Sequence, residues 1–267
     1  MKKLLLATVV VGVLIFAAFS FAANLTGSIQ IAGSTSVQPL AEELAQAFMA
    51  KNKGVRIFVQ GGGSGAGIKA AMTGTADIGT SSRELKPEET GLIETVIAKD
   101  GIAIIVNKAN SITNLTLEQL QKIYTGEVSN WKDVGGPNLK IQVVNREAGS
   151  GTRGAFEEIV LGKLANTSNC LVQASTGAVQ QTVAVTKEAI GYVSLGSLDP
   201  QAVKALAIND IECNVANILA NKYKIQRPFL MLTKTTPTGA VKAFLDWVLG
   251  PEGQKIVSKE YIRVTQK

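Results

Sequence analysis

Histidine does not occur anywhere in the 267 residues. No Ser-His or Cys-His nucleophile can be assembled, no imidazole base is available near neutral pH, and no His-ligated metal can form. Cysteine is scarce too: Cys170 and Cys213 are the only two, and two thiolates without histidine rarely complete a metal site. Neither a metal nor another cofactor is expected. The chain has no run of lysine or arginine and aromatics make up 5% of it, whereas a nucleic-acid binder clusters its basic residues and interleaves aromatics with them. No Gly-x-Ser-x-Gly elbow, tandem repeat or low-complexity tract is present.

One long hydrophobic run is present. After Met1-Lys2-Lys3, residues Leu4 to Phe19 hold Thr8 as their only polar side chain, and Ser20-Phe21-Ala22-Ala23 follows. A charged start, an apolar centre and a small-residue end describe a secretory signal over 1–23; the alternative is an uncleaved anchor. The protein is thus expected outside the cytoplasm. Without Lys2 and Lys3 the remaining 244 residues carry a net charge of about +4, a mild attraction for small anions. In an exported chain two cysteines more often pair than stay free, so a Cys170–Cys213 disulfide is expected, with two free thiols as the outcome if they lie too far apart.

Strand and helix patterns alternate. Gly27–Ile31, Val55–Val59, Gly101–Val106, Ile141–Val144, Ile190–Val193, Val203–Ile208 and Arg227–Thr233 read as strands. Leu40, Leu44 and Phe48 form an apolar stripe on a helix with Pro39 in its first turn. Further helices are expected from Ile68 to Met72, Leu117 to Tyr124, Ala178 to Val185, Val215 to Asn221, Thr238 to Val248 and Gly253 to Val257. Lys86-Pro-Glu-Glu opens a loosely helical piece. This alternation predicts an α/β protein with ligands at the carboxyl ends of its strands. No linker marks a domain boundary.

The chemistry concentrates in Arg146-Glu147-Ala148-Gly149-Ser150-Gly151-Thr152, between a strand and a helix start. Free amides at a helix N-terminus bind anions, and Arg146 adds an always-charged fork. Alone, the stretch reads equally well as a glycine turn capped by Ser150 or Thr152. Repetition favours the anion reading, because Ser34-Thr35-Ser36, the loop Gly61 to Gly67 with Ser64, and Thr80-Ser81-Ser82-Arg83 repeat the pattern and could converge on one tetrahedral ligand. Gly61-x-Gly63-x-x-Ala66 nominally matches a dinucleotide fingerprint, but five glycines in seven residues match many templates. The same loop fails as a P-loop, since Lys69 falls one place late with no Ser or Thr after it. The paired carboxylates Glu42/Glu43, Glu88/Glu89 and Glu157/Glu158 read as solvated faces.

Ile31-Ala-Gly-Ser-Thr-Ser, Gln60-Gly-Gly-Gly-Ser, Asp77-Ile-Gly-Thr-Ser-Ser-Arg, Arg146-x-x-Gly-Ser-Gly-Thr152 and Ile190-Gly-Tyr-Val-Ser-Leu-Gly together resemble the phosphate-binding protein of the bacterial high-affinity phosphate ABC transporter, a type II periplasmic binding protein. The resemblance spans nearly all of residues 24–267. It implies two α/β lobes, 24–106 with 228–267 and 107–227, joined by two crossing strands near Ala103–Asn107 and Arg227–Met231. It implies a monomer that binds inorganic phosphate and serves a membrane permease, without catalysis. By position it assigns hydroxyl or amide donors to Thr35, Ser36 and Ser64, and guanidinium, hydroxyl and amide donors to Arg146, Ser150, Gly151 and Thr152. Ser82 stands where well-known members carry an aspartate that accepts the proton of hydrogen phosphate. A hydroxyl accepts but does not repel a dianion, so Asp77 or Glu147 is a candidate acceptor, and Glu147 could instead orient Arg146. Sulfate, molybdate or tungstate binding, a secreted phosphate-ester hydrolase, and an anchored surface protein are the competing readings.

Mass spectrometry of the exported protein is expected to find Asn24 at its N-terminus; retention of residues 1–23 would identify an anchored form.

Overall fold

The computed structural model describes residues 25–264; the expected signal or anchor at 1–23 lies outside them. The first half opens with β1 (Thr26–Gly33), α1 (Gln38–Lys51), β2 (Gly54–Gly61), α2 (Ser64–Thr73) and β3 (Ile78–Ser81). A long strand, β4 (Ile93–Asn107), leads into the second half. There β5 (Asn114–Leu115), α3 (Leu117–Thr125), β6 (Gln142–Arg146), α4 (Gly151–Phe156), β7 (Cys170–Gln173), α5 (Thr176–Val185), β8 (Ala189–Ser194), β9 (Val203–Ala205), β10 (Ala207–Ile208) and α6 (Val215–Leu219) follow. The chain returns through β11 (Gln226–Thr233) to α7 (Gly239–Leu249), α8 (Pro251–Val257) and β12 (Ile262–Arg263).

The main sheet runs β2-β1-β3-β11-β4-β8-β6-β7, with β9 and β12 also paired to β4. Strands β1, β2 and β3 are parallel, as are β6, β7 and β8, while β4 and β11 run antiparallel to each other. Two apolar cores form on this frame. The first joins Ile29, Ile31, Val55 and Phe229 to the α1 stripe of Leu40, Leu44 and Phe48 and to Phe244 and Val248 of α7. The second gathers Ile102 to Val106, Leu120, Tyr124, Phe156, Val179, Ile190 and Tyr192. Burial on both faces explains why Gly101–Val106 reads as an unbroken apolar run.

β4 changes core along its length. Ile97 and Ala98 belong to the first core, and Ile102 to Val106 to the second. Residues 102–106 therefore pack with the second half, although the resemblance places them in the first lobe. Between the cores lies a fully buried ion pair: Arg227, Asp100's partner in the β4–β11 register, donates to its carboxylate through Nε (3.1 Å) and Nη2 (3.0 Å). Ser194 Oγ and the Leu195 amide also donate to Asp100, and Arg227 Nη1 donates to the Ser82 carbonyl. Burial pushes the Asp100 carboxyl above its usual range against Arg227's pull, and pushes Arg227 below its own. Such a pair adds little net stability, but removing one member strands a buried charge.

Several local expectations are corrected. The stretch after Lys86 is a turn, because the Glu89 carboxylate accepts from the Lys86 amide and from both Arg83 nitrogens and holds a loop that feeds β4. Val203–Ile208 splits into two strands of different sheets, β9 on β4 and β10 on β5. α2 starts at Ser64, four residues before the expected helix. β7 escapes a sequence reading because it is a short edge strand with Leu171 and Val172 exposed. The expected Cys170–Cys213 disulfide is not formed, and both thiols are free. Cys213 lies under β4, where a side chain at Gly101 would come within 2.8 Å of its sulfur. Cys170 is on β7, three strands away and thus about 14 Å off at ordinary strand spacing, beyond the ~7 Å that a disulfide spans.

Asp100→Ala is expected to destabilise by about 3–5 kcal/mol, lowering Tm by about 6–20 °C at the ~2–4 °C per kcal/mol of a chain this size. In thermal melts Asp100→Leu with Arg227→Met should recover most of that loss; a double variant no better than Asp100→Ala would assign the pair a larger role than charge balance.

Candidate functional site

The hydroxyl-rich loops close β1, β2, β3 and β6 at their carboxyl ends and meet between the two cores. At the end of β1, the Ser34 amide donates to the Thr80 carbonyl, and Ser34 Oγ accepts from the Ser36 and Val37 amides. That leaves no hydroxyl to cap α1, whose N-cap is Val37; Thr35 and Ser36 instead face the second half. At the end of β2, the Gly62 and Gly63 amides converge on the Gly33 carbonyl. Gly63 has φ +88, and a Cβ on Gly67 would lie 2.6 Å from the Ala32 carbonyl oxygen. The glycine run therefore bends the chain and seats α2 against β1, which is what aims Ser64. At the end of β3, the Ser82 amide donates to Ser64 Oγ (3.1 Å) and Ser34 Oγ donates to Ser82 Oγ (2.9 Å). Arg83 turns away into a paired grip on Glu89, which holds that carboxyl below its usual range.

From the second half, β6 delivers Arg146, which is 1% exposed. Its Nε and Nη2 each donate to Glu147 at 2.8 Å, Nε also to the Gln173 carbonyl (3.2 Å), Nη1 to Thr176 Oγ1 (3.2 Å) and Nη2 to Thr35 Oγ1 (3.1 Å). Ser150 is the N-cap of α4, accepting the Arg153 amide. The Gly151 and Thr152 amides open the helix, where no intrahelical acceptor exists for them. Under β6, Tyr192 donates to Asn145 Oδ1 and its hydroxyl lies 3.4 Å from the Arg146 amide; burial pushes its phenol well up, keeping it neutral.

The halves touch directly. Ser36 Oγ is 2.8 Å from Thr152 Oγ1 and 2.8 Å from Thr176 Oγ1, and the Gly65 amide donates to the Gly149 carbonyl at 2.9 Å. A Cβ on Gly151 would lie 2.2 Å from Ser64 Oγ and 2.7 Å from Ser82 Oγ. All eight residues expected at the site, Thr35, Ser36, Ser64, Ser82, Arg146, Ser150, Gly151 and Thr152, thus gather around one junction, and all but the half-buried Thr35 are buried. Of the two candidate acceptors, Asp77 is exposed at the opposite end of β3, where it takes the Gln30 amide, and Glu147 is committed to Arg146. Thr176 is the residue that sequence reading passed over. Its signal is in the sequence, because Ser175-Thr176-Gly177 repeats the hydroxyl-and-glycine pattern before a helix, but β7 ahead of it is too short and exposed to show a strand pattern. Among the described residues no group of three or more Cys, Asp or Glu side chains could hold a metal ion.

Known proteins resemble this chain over most of its length. A PBP superfamily domain model matches residues 22–252. The phosphate-binding protein PstS of Bacillus subtilis (strain 168) is 34% identical over 246 residues, 90% of this chain and 82% of that protein. The chain belongs to the PstS family of the PBP superfamily. Among solved structures, a putative phosphate ABC transporter substrate-binding protein from Clostridium perfringens with bound phosphate is 43% identical, with a TM-score of 0.87 over 90% of this chain and all of that one. An ABC-type phosphate transport receptor from Vibrio cholerae is 36% identical, with a TM-score of 0.74 over 89% of this chain and all of that one. The fold is that of a type II periplasmic binding protein: two α/β halves joined through β4 and β11.

In this PstS-family chain Gly151→Ala is expected to cost about 1–3 kcal/mol through overpacking against Ser64 and Ser82. Gly149→Ala, whose Cβ would meet nothing within 4 Å, should melt within about 0.5 kcal/mol of the parent. Equal losses in the two variants would show that the loops do not meet at Gly151.

Proposed function

We infer that this protein binds inorganic phosphate between its two halves, outside the cytoplasm, and hands it to the membrane permease of an ABC transporter without turning it over. The observation that carries this reading is the reach of Arg146 across the junction to Thr35. It puts the buried guanidinium of one half among the hydroxyls of the other, a set of donors that neither half holds alone. The names of the Bacillus, Clostridium and Vibrio relatives support the same ligand. No described helix is long and apolar enough to cross a membrane, so the chain's own link to a membrane would run through a partner or through residues 1–23.

In this reading the halves act as lobes, the first built on β1–β3, α7 and α8 and the second on β6–β8, and they close like a clamp about β4 and β11. Arg146 neutralises the ion, Thr35, Ser36, Ser64 and Thr152 donate hydroxyl or amide hydrogens to its oxygens, and Gly151 and Ser150 bring the helix start against it. Glu147 holds the Arg146 fork in plane through two bonds and offsets part of its charge. The site then pairs a dianion mostly with neutral donors, which allows release. Ser82 supplies a hydroxyl where an acid would repel sulfate, and the protein works as a monomer.

Calorimetry with phosphate and sulfate tests the reading. Phosphate is expected to bind more tightly than about 1 µM, a free energy of roughly −8 kcal/mol, and more tightly than sulfate. Arg146→Ala should lose about 3 kcal/mol, on the order of a hundred-fold. Phosphate binding no tighter than about 1 mM, or a variant with wild-type affinity, would sink the assignment.

A further inference from the structure

Bending of the second loop and seating of α2 leave two glycines near the site unexplained, Gly65 and Gly149. They face one another across the junction, where the Gly65 amide donates to the Gly149 carbonyl at 2.9 Å. Among the described residues this is the one main-chain hydrogen bond between the halves away from β4 and β11. The two main chains can approach because no side chain stands between them. A Cβ on Gly65 would lie 3.5 Å from Gly149 Cα, and one on Gly63 would lie 3.1 Å from the Gly149 carbonyl oxygen and 3.1 Å from Glu147 Oε1.

Gly65 is the second residue of α2, in the first turn, where a helix has no acceptor of its own for its amides. The N-cap of α2, Gly63, brings no side chain to fill that place. The Gly149 carbonyl fills it from the other half. It belongs to an exposed turn closed by the Ser150 amide on the Glu147 carbonyl (3.0 Å), and its negative end meets the positive end of the α2 dipole. Ser64, a hydroxyl of the site, opens the helical turn that this bond caps. Around the site the other bonds between the halves end on the hydroxyls of Thr35, Ser36, Thr152 and Thr176, and hydroxyls turn toward an ion placed among them. The Gly65–Gly149 bond stays out of that exchange and depends only on the halves being shut.

We propose that the turn 147–150 is a latch on the phosphate site: when the halves close, the Gly149 carbonyl caps α2 across the rim, and this main-chain bond steadies Ser64 and slows the ion's release without touching the ion. This rests on the phosphate reading above. Opening the halves strips α2 of its cap, so the helix start and the closed form are held by the same bond. Because the bond forms only after the ion has entered, it acts on the rate of release and leaves the rate of capture alone.

The experiment is NMR on the full exported chain with and without inorganic phosphate, joined to the release of radiolabelled phosphate chased by unlabelled phosphate. With phosphate bound, a coupling through the hydrogen bond from the Gly65 nitrogen to the Gly149 carbonyl carbon should appear. Exchange of the Gly65 amide should slow about ten-fold or more, while the Gly74 amide, bonded to Ala71 within the first half, keeps its rate. Gly65→Pro puts a ring carbon where the N–H pointed and blocks the approach; α1 carries Pro39 at the same helical position, so a helix start accommodates it. This variant should release phosphate at least about ten-fold faster with capture unchanged. Gly65→Ala keeps the N–H and adds only an ordinary contact, and it should stay within about three-fold of the wild type. Melts in phosphate-free buffer check folding, and if Gly65→Pro does not fold the two NMR readouts on the wild type decide. Bound phosphate with no Gly65–Gly149 coupling overturns the latch, as does a Gly65 amide equally protected with and without phosphate, or a folded Gly65→Pro protein with wild-type release. A wild-type protein that binds no phosphate overturns the reading of the site and this inference with it; wild-type binding without the coupling overturns the inference alone.

Discussion

Two charges that never meet water, Asp100 and Arg227, hold the middle of the molecule. Each sits on one of the two strands that connect the halves, and they are opposite one another in the ladder. Their remaining bonds point in opposite directions, Asp100 toward Ser194 and Leu195 of the second half, Arg227 toward the Ser82 carbonyl of the first. A pair of leucines would fill the same space at less desolvation cost but would not tie the register of β4 and β11 to the loop that carries Ser82. The ion pair therefore fixes the relation between the frame and one wall of the site.

The site itself uses charge sparingly. One guanidinium faces it, half occupied by Glu147, and every other contributor is a hydroxyl or an amide. Buried hydroxyls need partners, and here they partner one another across the junction. In the clamp proposed above, closing the halves satisfies the donors that opening them would expose to water. Association of the halves and organisation of the site become one event, and part of the ordering cost is met before any ligand arrives.

Most of the frame could be read from local pattern. The α1 stripe, the alternation in β2 and the apolar run at Gly101–Val106 are all found as expected, because each is fixed by short-range periodicity and burial. Three features could not be read. β7 is too short and too exposed to carry a pattern, and Thr176 was missed with it. The start of β4 was obscured by Pro87 and a pair of glutamates, one of which serves Arg83 through space. The cysteines offer a count but no distance, and a count cannot reveal that three strand spacings separate them. In each case the deciding information lies in pairing between residues far apart in the chain.

The position of β11 carries a consequence for how the polypeptide reaches this form. It lies between β3 and β4, inside the first half's part of the sheet, yet it is made of residues 226–233. The second half, by contrast, draws almost all of its core from one continuous stretch of chain. During synthesis or translocation the second half has its residues in hand first. The first half must hold β1 to β3 and the apolar face of α1 without their neighbour until more than four-fifths of the chain has been delivered. Its long-range closure is the slow kind, so the first half completes its core only when nearly the last element of the chain has emerged.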